Sequence, residues 1–341
     1  MQNRSGCKIS LIIPVRNGGE NFRRCLASVQ SSRRPPDELI VVADDDSDGS
    51  WQAAEAFGAK VIQLNPRQGP AAARNRGAAA STGDVLFFID ADVTLGVDTL
   101  VQVDREFCQD PCLVALIGSY DDAPGASNFL SQYKNLFHHY THQTSTGEGS
   151  TFWGACGAIR AFAFQQVQGF DERYRYPCVE DIDLGYRLKG LGYDVRLCKH
   201  IQVKHLKHWQ LVSLLRAEIF YRALPWTELI LSSGSIANDL NLDISSRASV
   251  VLTFLLLGCL ALALVIPWVF LLGMAAALIL LIINLDVYQF FYQKRGLFFT
   301  VKVVPWHWFY FLYGGAAFAV GSLKYYYRTY HLPKARLTRG F

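Results

Sequence analysis

The sequence has no Cys-x-x-Cys pair, although it contains eight cysteines. Zinc sites of the finger and ribbon types are built from such pairs. Cys108 and Cys112, the two cysteines nearest to each other, have no second pair that would complete a site. Disulfides persist in oxidising compartments and are rare elsewhere. We therefore expect ordinary reduced thiols in a reducing compartment.

A large excess of charge of one sign is also missing. The chain has 33 Lys and Arg against 29 Asp and Glu, a formal net charge of +4. No basic stripe interleaved with aromatic residues occurs in residues 1–200, which argues against a dedicated nucleic-acid binder. Residues 1–8 are polar, and the apolar run after them is too short for a secretory signal peptide. We expect no nucleic-acid partner and a cytoplasmic N-terminal domain.

Apolar residues make up 51% of the chain and concentrate towards its C-terminus. Residues 249–266 and 268–285 are uncharged runs separated at Pro267, and each is close to the minimum of about 17–20 residues for a transmembrane helix. They predict a helical hairpin, and residues 303–323 form a third candidate segment. The sequence thus predicts an α-helical membrane region over 247–341 and a multi-pass protein of the bacterial inner-membrane type.

Two features of this half leave alternatives open. Three full spans would place the basic C-terminal tail outside, against the positive-inside rule, so the third segment is re-entrant or interfacial, or the rule fails here. Residues 208–246 begin with an amphipathic pattern that contains Trp209, Trp226 and several arginines. That pattern is typical of a helix in the membrane interface, and the alternative is a plain surface helix of the preceding domain.

In residues 1–207, short apolar runs alternate with helical patterns. This alternation predicts βαβ units, and therefore an α/β fold with a mostly parallel sheet covered on both faces. The predicted strands are 9–15, 38–43, 60–64 and 85–89, and the predicted helices are 21–31, 51–58 and 71–80.

Polar side chains follow three of these strands where each strand ends: Asn17, Asp44 to Asp46, and Asp90 with Asp92. Ligands of open α/β sheets bind beyond the carboxyl ends of the strands. Two carboxylates two residues apart at such an end can share a divalent cation that also holds a diphosphate. We therefore predict a metal site at Asp90 and Asp92.

Two neighbouring motifs favour a nucleotide beside this metal. Asp44, Asp45 and Asp46 repel one another, so at least one needs a donor, which the edge of a base would offer. The alternative is a capping turn for the next helix, and both roles can coexist. Arg67, Gly69 and Arg74 combine a glycine turn, a small-residue helix and arginines, which suits phosphate binding.

The pattern loosens after Phe107, and we expect loops rich in Gly, Ser and Thr through residue 150. His138, His139 and His142 form a cluster on a helix. A solvated or acceptor-facing surface is favoured for them over metal ligation. Taken alone, the acidic run 180–183 predicts the first turn of a further helix.

In this order, the motifs resemble the family 2 glycosyltransferases over roughly residues 9–205. The resemblance rests on the segments Ser-Leu-Ile-Ile-Pro-Val-Arg-Asn at 10–17, Ile-Val-Val-Ala-Asp-Asp-Asp-Ser-Asp-Gly at 40–49, the Gly-x-x-x-x-Arg-Asn that begins at 69, and Asp-Ala-Asp-Val at 90–93. It continues with 153–160, 169–172 and Glu-Asp at 180–181. It implies a GT-A-type, Rossmann-like catalytic domain over 1–207. The Gln-x-x-Arg-Trp motif of processive polysaccharide synthases is missing.

The resemblance also implies roles for individual residues. Asp44 and Asp45 would hold the base, Asp90 the ribose side and the metal, Asp92 the metal, and Asp181 would act as general base towards the acceptor hydroxyl. The remaining candidates are His205 as a third metal ligand; Pro14, Arg16, Asn17, Arg67, Gly69 and Arg74 on the donor side; and Trp153, Gly154 and Glu180 on the acceptor side.

The sequence therefore predicts an inverting, metal-dependent transfer of a sugar. The donor would be a nucleotide-sugar, with UDP favoured over GDP; the cofactor would be Mg²⁺ or Mn²⁺; and the acceptor would be a membrane lipid, a lipid-linked molecule or another membrane-proximal molecule. Two alternatives are a non-catalytic nucleotide-binding membrane scaffold and a sugar-phosphate nucleotidyltransferase.

Overall fold

A computed structural model describes residues 6–149, 151–234 and 243–331. The chain divides into two compact units, one ending at Trp209 and the other beginning at Gln210. Parts of the predicted interfacial segment, 235–242, and of the basic C-terminal tail, 332–341, lie outside the described residues.

Four parallel strands form one half of the sheet in the first unit, in the order β3-β2-β1-β4. The strands are β1 (Ile9–Val15), β2 (Glu38–Asp44), β3 (Lys60–Leu64) and β4 (Val85–Ile89). Every residue of β4 is buried, as expected for a strand covered on both faces. The predicted strands are confirmed, with β2 extending one residue further to Asp44.

Helices cover this half of the sheet: α1 (Gly19–Gln30), α2 (Ser50–Ala56) and α3 (Pro70–Ala79). The small residues of α3 permit close packing. A Cβ placed on Gly77 would lie 2.5 Å from Cγ2 of Ile12 in β1. This close approach brings Arg74 of α3 near the strand ends.

The other half of the sheet is mixed, so the prediction of a mostly parallel sheet is wrong there. Strand β8 runs antiparallel to both β4 and β6, β6 and β9 are parallel, and β5 and β7 each pair antiparallel with β9. The full order is β3-β2-β1-β4-β8-β6-β9-β5. The strands here are β5 (Val93–Leu95), β6 (Ala115–Tyr120), β7 (Glu148–Gly149), β8 (Cys156–Arg160) and β9 (Val195–His205).

The expectation of loops between Phe107 and residue 150 is wrong for β6, which lies in that stretch. The helix expected around His138 is confirmed as α5 (Phe129–Thr144), which has 16 residues. The remaining helices of the unit are α4 (Thr99–Gln109), α6 (Ala161–Gln166) and α7 (Glu180–Gly190). The acidic run 180–183 begins α7, as predicted.

The second unit is helical throughout its described residues. A continuous helical stretch comprises α8 (Leu211–Arg216), a π-helical segment (Ala217–Ala223) and α9 (Leu224–Ser233). The later helices are α10 (Ile244–Leu262), α11 (Val269–Ile283), α12 (Leu285–Arg295) and α13 (Leu297–His331). Helices α10 and α11 pack through Leu256, Ala276 and Leu280, so the predicted hairpin is two packed helices.

Within the described ranges, α10 alone is long and apolar enough to cross a membrane as a single helix. In the most apolar 18 residues of α10, only 22% are buried, so packing inside the unit does not explain its apolar surface. Helices α11 and α12 are long and apolar enough to cross a membrane only when taken together, and the pair is bent by 61°. The third predicted segment, 303–323, lies inside α13, which is not apolar enough to count as a candidate membrane span.

Candidate active site

The loops after β1 and β2 are fastened to each other at the carboxyl edge of the sheet. The amide of Asn17 donates to Oδ1 of Asp46 at 2.8 Å, and Oδ1 of Asn17 accepts from the amide of Ser47 at 2.8 Å. Asn17 and Asp45 both adopt a left-handed backbone, with φ of 52° and 58°. Such conformations are uncommon for residues other than glycine and cluster at functional sites.

Asp44 ends β2 with a buried carboxylate that holds the next loop in place. Its two oxygens accept from the amides of Gln68 at 2.7 Å and Gly69 at 2.8 Å. A Cβ on Gly69 would lie 2.5 Å from the carbonyl oxygen of Arg175, and the φ of Gly69 is +98°. Glycine is therefore required at this position. A nucleotide base at Asp44 would share the carboxylate with these two amides.

The other predicted donor-side residues lie around the same edge. Pro14 is in β1, and Arg16 pairs with Asp45 across 3.5 Å, with both side chains well exposed. The guanidinium of Arg67 lies 4.8 Å from the ring centre of Tyr176. Its Nε is buried and has no hydrogen-bond partner among the described residues.

Arg74 joins two carboxylates from different parts of the chain. Its guanidinium donates to Oδ1 of Asp90 at 2.7 Å and to Oε1 of Glu180 at 2.9 Å. Arg74 and Glu180 are buried, whereas the side chain of Asp90 is 36% exposed. Burial opposes the charge of Arg74, but Asp90, Glu180 and Asp181 outweigh it and raise its pKa. Arg74, predicted as a phosphate ligand, is thus engaged in organising the carboxylates.

Asp181 is held at the start of α7 by two backbone amides. Oδ2 accepts from the amide of Gly154 at 3.0 Å, and Oδ1 accepts from its neighbour Ile182 at 2.8 Å. A Cβ on Gly154 would lie 3.0 Å from Cζ of Arg74. Gly154 therefore packs against the guanidinium while its amide orients Asp181. The predicted acceptor-side residues Gly154 and Glu180 and the predicted base lie together.

Asp92 and His205 form a second pair, because β5 and β9 bring them side by side. Nε2 of His205 lies 3.7 Å from Oδ2 of Asp92. Burial opposes ionisation of Asp92, but the charge and hydrogen bond of His205 and the charge of Lys207 outweigh it and lower the pKa of Asp92 to about 2. A carboxylate and an imidazole are suitable ligands for a divalent cation such as Mn²⁺.

The third predicted metal ligand is not part of a compact triad. In the described residues, Asp90, Asp92 and His205 do not offer three ligand atoms that all lie within 4.8 Å of one another. Asp90 instead directs one oxygen at Arg74. The structure therefore brings together two of the three predicted ligands, and the donor chemistry of that pair fits the metal.

Aromatic rings line the site beside His205. Tyr120, at the end of β6, stacks on His205 with ring centres 4.5 Å apart and planes 8° apart. Trp153 meets Tyr120 edge-on at 4.7 Å and lies 4.8 Å from His138. Because Trp153 precedes Gly154, this aromatic wall is continuous with the loop that orients Asp181.

The expectation for the histidine cluster is a solvated or acceptor-facing surface, and solvation is wrong for two of its members. His139 and His142 are buried, with Nδ1 at 2.7 Å from the carbonyl oxygen of Tyr120 and at 3.0 Å from that of Gly118, respectively. Burial lowers the pKa of His142 to about 4 despite this hydrogen bond. These histidines thus tie α5 to β6.

Sequence patterns do not identify Tyr120 as a site residue. Its position depends on β6, which lies where the sequence predicts loops. The apolar run at residues 113–117 is the available signal for that strand. The stacking of Tyr120 on a residue more than eighty positions away leaves no trace in local periodicity.

Comparison with known proteins identifies a family region in the first unit. A family model described as "Glycosyl transferase family 2" matches residues 10–168, the stretch that contains the strand-end loops, Arg74 and the Asp90–Asp92 pair. Residues 10–168 thus form a glycosyltransferase family 2 region. The matched region ends before Asp181 and His205, whose placement is known from the structure.

Two relatives illustrate the family. The pre-mycofactocin glycosyltransferase of Mycobacterium tuberculosis is 29% identical over 225 residues, which are 62% of this chain and 46% of that protein. The O-antigen chain rhamnosyltransferase RfbN of Salmonella typhimurium is 22% identical over 236 residues, 65% of this chain and 74% of that protein. The match thus covers about half the length of the mycobacterial protein.

A solved structure supports the fold. The mannosyltransferase PcManGT from Pyrobaculum calidifontis, in complex with GDP-Man and Mn²⁺, superposes with a TM-score of 0.56 at 15% identity. The superposition covers 94% of this chain and 87% of PcManGT. The sheet domain therefore has the GT-A-type fold that the sequence predicts.

Proposed function

We propose that this chain is an inverting glycosyltransferase that moves one sugar from a nucleotide-sugar to a lipid-linked or membrane-proximal acceptor. The observation that carries the proposal is the convergence of carboxylates on one buried guanidinium. Arg74 contacts Asp90 and Glu180, and the adjacent Asp181 presents a carboxylate held by the amide of Gly154. A donor-side carboxylate hydrogen-bonds to Arg74, and the charge of the candidate base acts on the same guanidinium.

Asp181 is the group that we assign as general base. The acceptor hydroxyl gives its proton to the Asp181 carboxylate while its oxygen attacks the anomeric carbon. The bond from that carbon to the diphosphate oxygen breaks, and its electron pair leaves with the nucleoside diphosphate. A single displacement of this kind inverts the anomeric configuration. The two amide contacts fix the carboxylate, which is the positioning that general-base catalysis requires.

Asp92 and His205, with Asp90 nearby, are the residues that would hold a divalent cation, Mg²⁺ or Mn²⁺. Such an ion neutralises the charge on the departing diphosphate. The Tyr120 ring stacked on His205 limits the rotation of the imidazole. The PcManGT complex contains Mn²⁺, which supports a metal in this fold.

A UDP-sugar is the donor that we test first, and the alternative is a GDP-sugar such as that bound in the PcManGT complex. The acceptor proposal rests on two observations. Helix α10 has an exposed apolar surface long enough to span a membrane, and RfbN is named for an O-antigen chain. We further propose a multi-pass location in a bacterial inner membrane, with the catalytic domain in the cytoplasm.

The test measures nucleoside diphosphate release from UDP-, GDP- and dTDP-sugars by the full chain in detergent, with Mn²⁺ or Mg²⁺ and with or without total membrane lipid. We expect lipid-stimulated, metal-dependent release from one donor. The Asp181→Asn variant should lose about 10²–10⁴-fold in kcat and keep donor affinity, because Asp181 acts on the acceptor. The anomeric configuration of the product, read by NMR, tests inversion.

Asp183→Asn is the matched control for Asp181→Asn, since Asp183 lies in the same turn of α7 but pairs with Arg187 at 2.8 Å. Its rate should stay close to that of the parent protein. Full transfer by Asp181→Asn, or equal loss in both variants, would refute the assignment of the base. Donor binding without release across the acceptor panel would favour the scaffold, and pyrophosphate release from a nucleoside triphosphate would favour a nucleotidyltransferase.

A further inference from the structure

A second group of metal-type side chains lies at the opposite edge of the sheet from the candidate active site. Cys7 precedes β1 with one residue between them, and so lies at the amino ends of the parallel strands. Asp104 and Cys108 are on α4, four residues apart, and therefore share one face of that helix. These three residues are the ones whose ligand atoms all lie within 4.8 Å of one another in the described part of the chain.

The spacing of the ligand atoms matches a tetrahedral site. Sγ of Cys7 lies 3.7 Å from Sγ of Cys108, which lies 3.5 Å from Oδ1 of Asp104. Zinc–sulfur bonds of about 2.3 Å and zinc–oxygen bonds of about 2.1 Å at tetrahedral angles give S···S separations of about 3.8 Å and S···O separations of about 3.6 Å. Two of the three separations are thus close to those that one ion would impose, and the third is within 4.8 Å.

Surrounding groups hold these ligands in place. Arg34 donates from Nε to Oδ2 of Asp104 at 3.1 Å and from a terminal nitrogen to the carbonyl oxygen of Cys7 at 2.7 Å. The amide of Cys7 donates to Oδ1 of Asp104 at 2.9 Å. Hydrogen bonds of this kind, from outside the ligand set, orient the ligands of metal sites.

The local charge favours a dication. Two thiolates and the Asp104 carboxylate carry three negative charges, which a divalent ion and the Arg34 guanidinium offset. Asp37, which pairs with Arg34 at 2.9 Å, adds one further negative charge. A borderline-soft ion suits a sulfur-containing ligand set better than Mg²⁺, which prefers oxygen.

We propose that Cys7, Asp104 and Cys108 form a site for a thiophilic divalent cation of the zinc class, with water in the fourth position. On binding, each thiol releases its proton to solvent. The ion would fasten the segment before β1 to α4. This site is separate from the proposed catalytic metal, which uses no thiol.

The test uses the full chain in detergent, reduced and stripped with a chelator, and titrates it with Co²⁺. We expect one equivalent of Co²⁺ to produce a thiolate-to-metal charge-transfer band that Zn²⁺ abolishes. Cys7→Ser and Cys108→Ser should lose the band. Asp104→Asn should weaken binding by about tenfold or more, the range for losing a ligand-shell contact.

Cys112→Ser is the matched control, because Cys112 is also exposed and lies just beyond α4 but is outside the ligand set. It should retain the band, as should Asp92→Asn, which separates this site from the catalytic proposal. Zn²⁺ should raise the Tm of the parent protein and of Cys112→Ser by more than that of Cys108→Ser, which keeps only the site at Asp92 and His205. Cys108 is exposed, so its serine variant is expected to fold.

Three results would overturn the proposal. One is the lack of a thiolate band in the parent protein, and another is its persistence in Cys7→Ser or Cys108→Ser. The third is a Cys7–Cys108 disulfide found by mass spectrometry in protein isolated without reductant, combined with no Co²⁺ uptake after reduction. That last result would identify the pair as a redox-active dithiol.

Discussion

At the scale of single residues, the Arg74 guanidinium has the largest structural consequence in the site. It is buried against Glu180, which is also buried, and against Asp90, which water reaches. Removing one partner of a buried ion pair leaves an uncompensated charge, whereas replacing both with apolar groups is often nearly neutral. Arg74 thus makes folding depend on residues that also organise the chemistry.

Arg74→Met should therefore destabilise the protein by about 3–5 kcal/mol, because Glu180 keeps a buried charge without its cation. The double variant Arg74→Met with Glu180→Leu should recover most of that loss, because Asp90 remains hydrated. Denaturant unfolding of both variants in detergent, followed by tryptophan fluorescence, gives the comparison. Equal stability of the single variant and the parent protein would show that the ion pair does not hold the site.

A second prediction at this scale concerns the stack of Tyr120 on His205. Tyr120→Leu removes the flat ring that restrains the imidazole, and we expect the affinity for Mn²⁺ to fall by about 10–100-fold, as for other partners that orient a metal ligand. Tyr120→Phe keeps the ring and should bind Mn²⁺ as the parent protein does. The free Mn²⁺ signal in electron paramagnetic resonance measures both. A similar loss in the phenylalanine variant would assign the effect to the hydroxyl instead.

At the scale of elements, the sequence predicts the parallel half of the domain closely and the mixed half poorly. The bounds of β1, β3 and β4 are as predicted, because buried parallel strands read as short apolar runs between turn residues. Strand β6 escapes prediction because Ala115–Tyr120 includes glycine and serine, both buried between β8 and β9. Its burial comes from neighbours distant in the chain, which local periodicity does not report.

The same distinction between local patterns and long-range contacts applies to the site. Asp44, Asp90 and Asp92 are predictable from strand ends alone, since a strand followed at once by carboxylates is a local pattern. The contact of Arg74 with Glu180 joins residues 106 positions apart, and no local pattern signals it. The family resemblance supplies Asp181 and His205, and the structure adds the amide of Gly154 that holds Asp181.

Glu38 links three elements, and its carboxylate makes their stability depend on pH. It accepts from Ser10 in β1 and from the amide and hydroxyl of Thr82, just before β4. Burial raises its pKa, but these hydrogen bonds and the charge of Lys8 outweigh burial and lower the pKa of Glu38 to about 2. The folded pKa lies below the unfolded value, so the stabilisation is complete above the ordinary pKa of 4.5 and is lost as pH falls towards 2.

The Glu38→Gln variant should accordingly have a lower Tm than the parent protein at neutral pH. The difference should shrink as pH falls through the window from 4.5 to about 2. Thermal unfolding of the two proteins across this window makes the measurement. Glu20→Gln, which removes an exposed carboxylate at the start of α1, serves as the control. A Tm difference for Glu38→Gln that stays constant with pH would exclude the carboxylate as its source.

At the scale of the whole molecule, we propose a catalyst that its helical unit holds at a membrane. An apolar helix with little burial, α10, has no counterpart among the described residues of the first unit. A donor from the cytoplasm and an acceptor in the bilayer would then meet without free diffusion of the acceptor. This arrangement requires the sheet unit to face the cytoplasm, which is open to direct measurement.

Cys112 is a natural probe of that orientation, because it is exposed on the sheet unit. In intact bacterial spheroplasts that express the full chain, a membrane-impermeant maleimide should leave Cys112 unmodified, and permeabilisation should expose it. The chain should also stay with the membrane after a carbonate wash, because apolar helices resist extraction from the bilayer. The Cys112→Ser variant identifies the labelled position by difference. Labelling of Cys112 in intact spheroplasts would place the sheet unit outside, away from cytoplasmic nucleotide-sugars. Release by carbonate would show a peripheral attachment, and the apolar face of α10 would then be expected to pack against another protein.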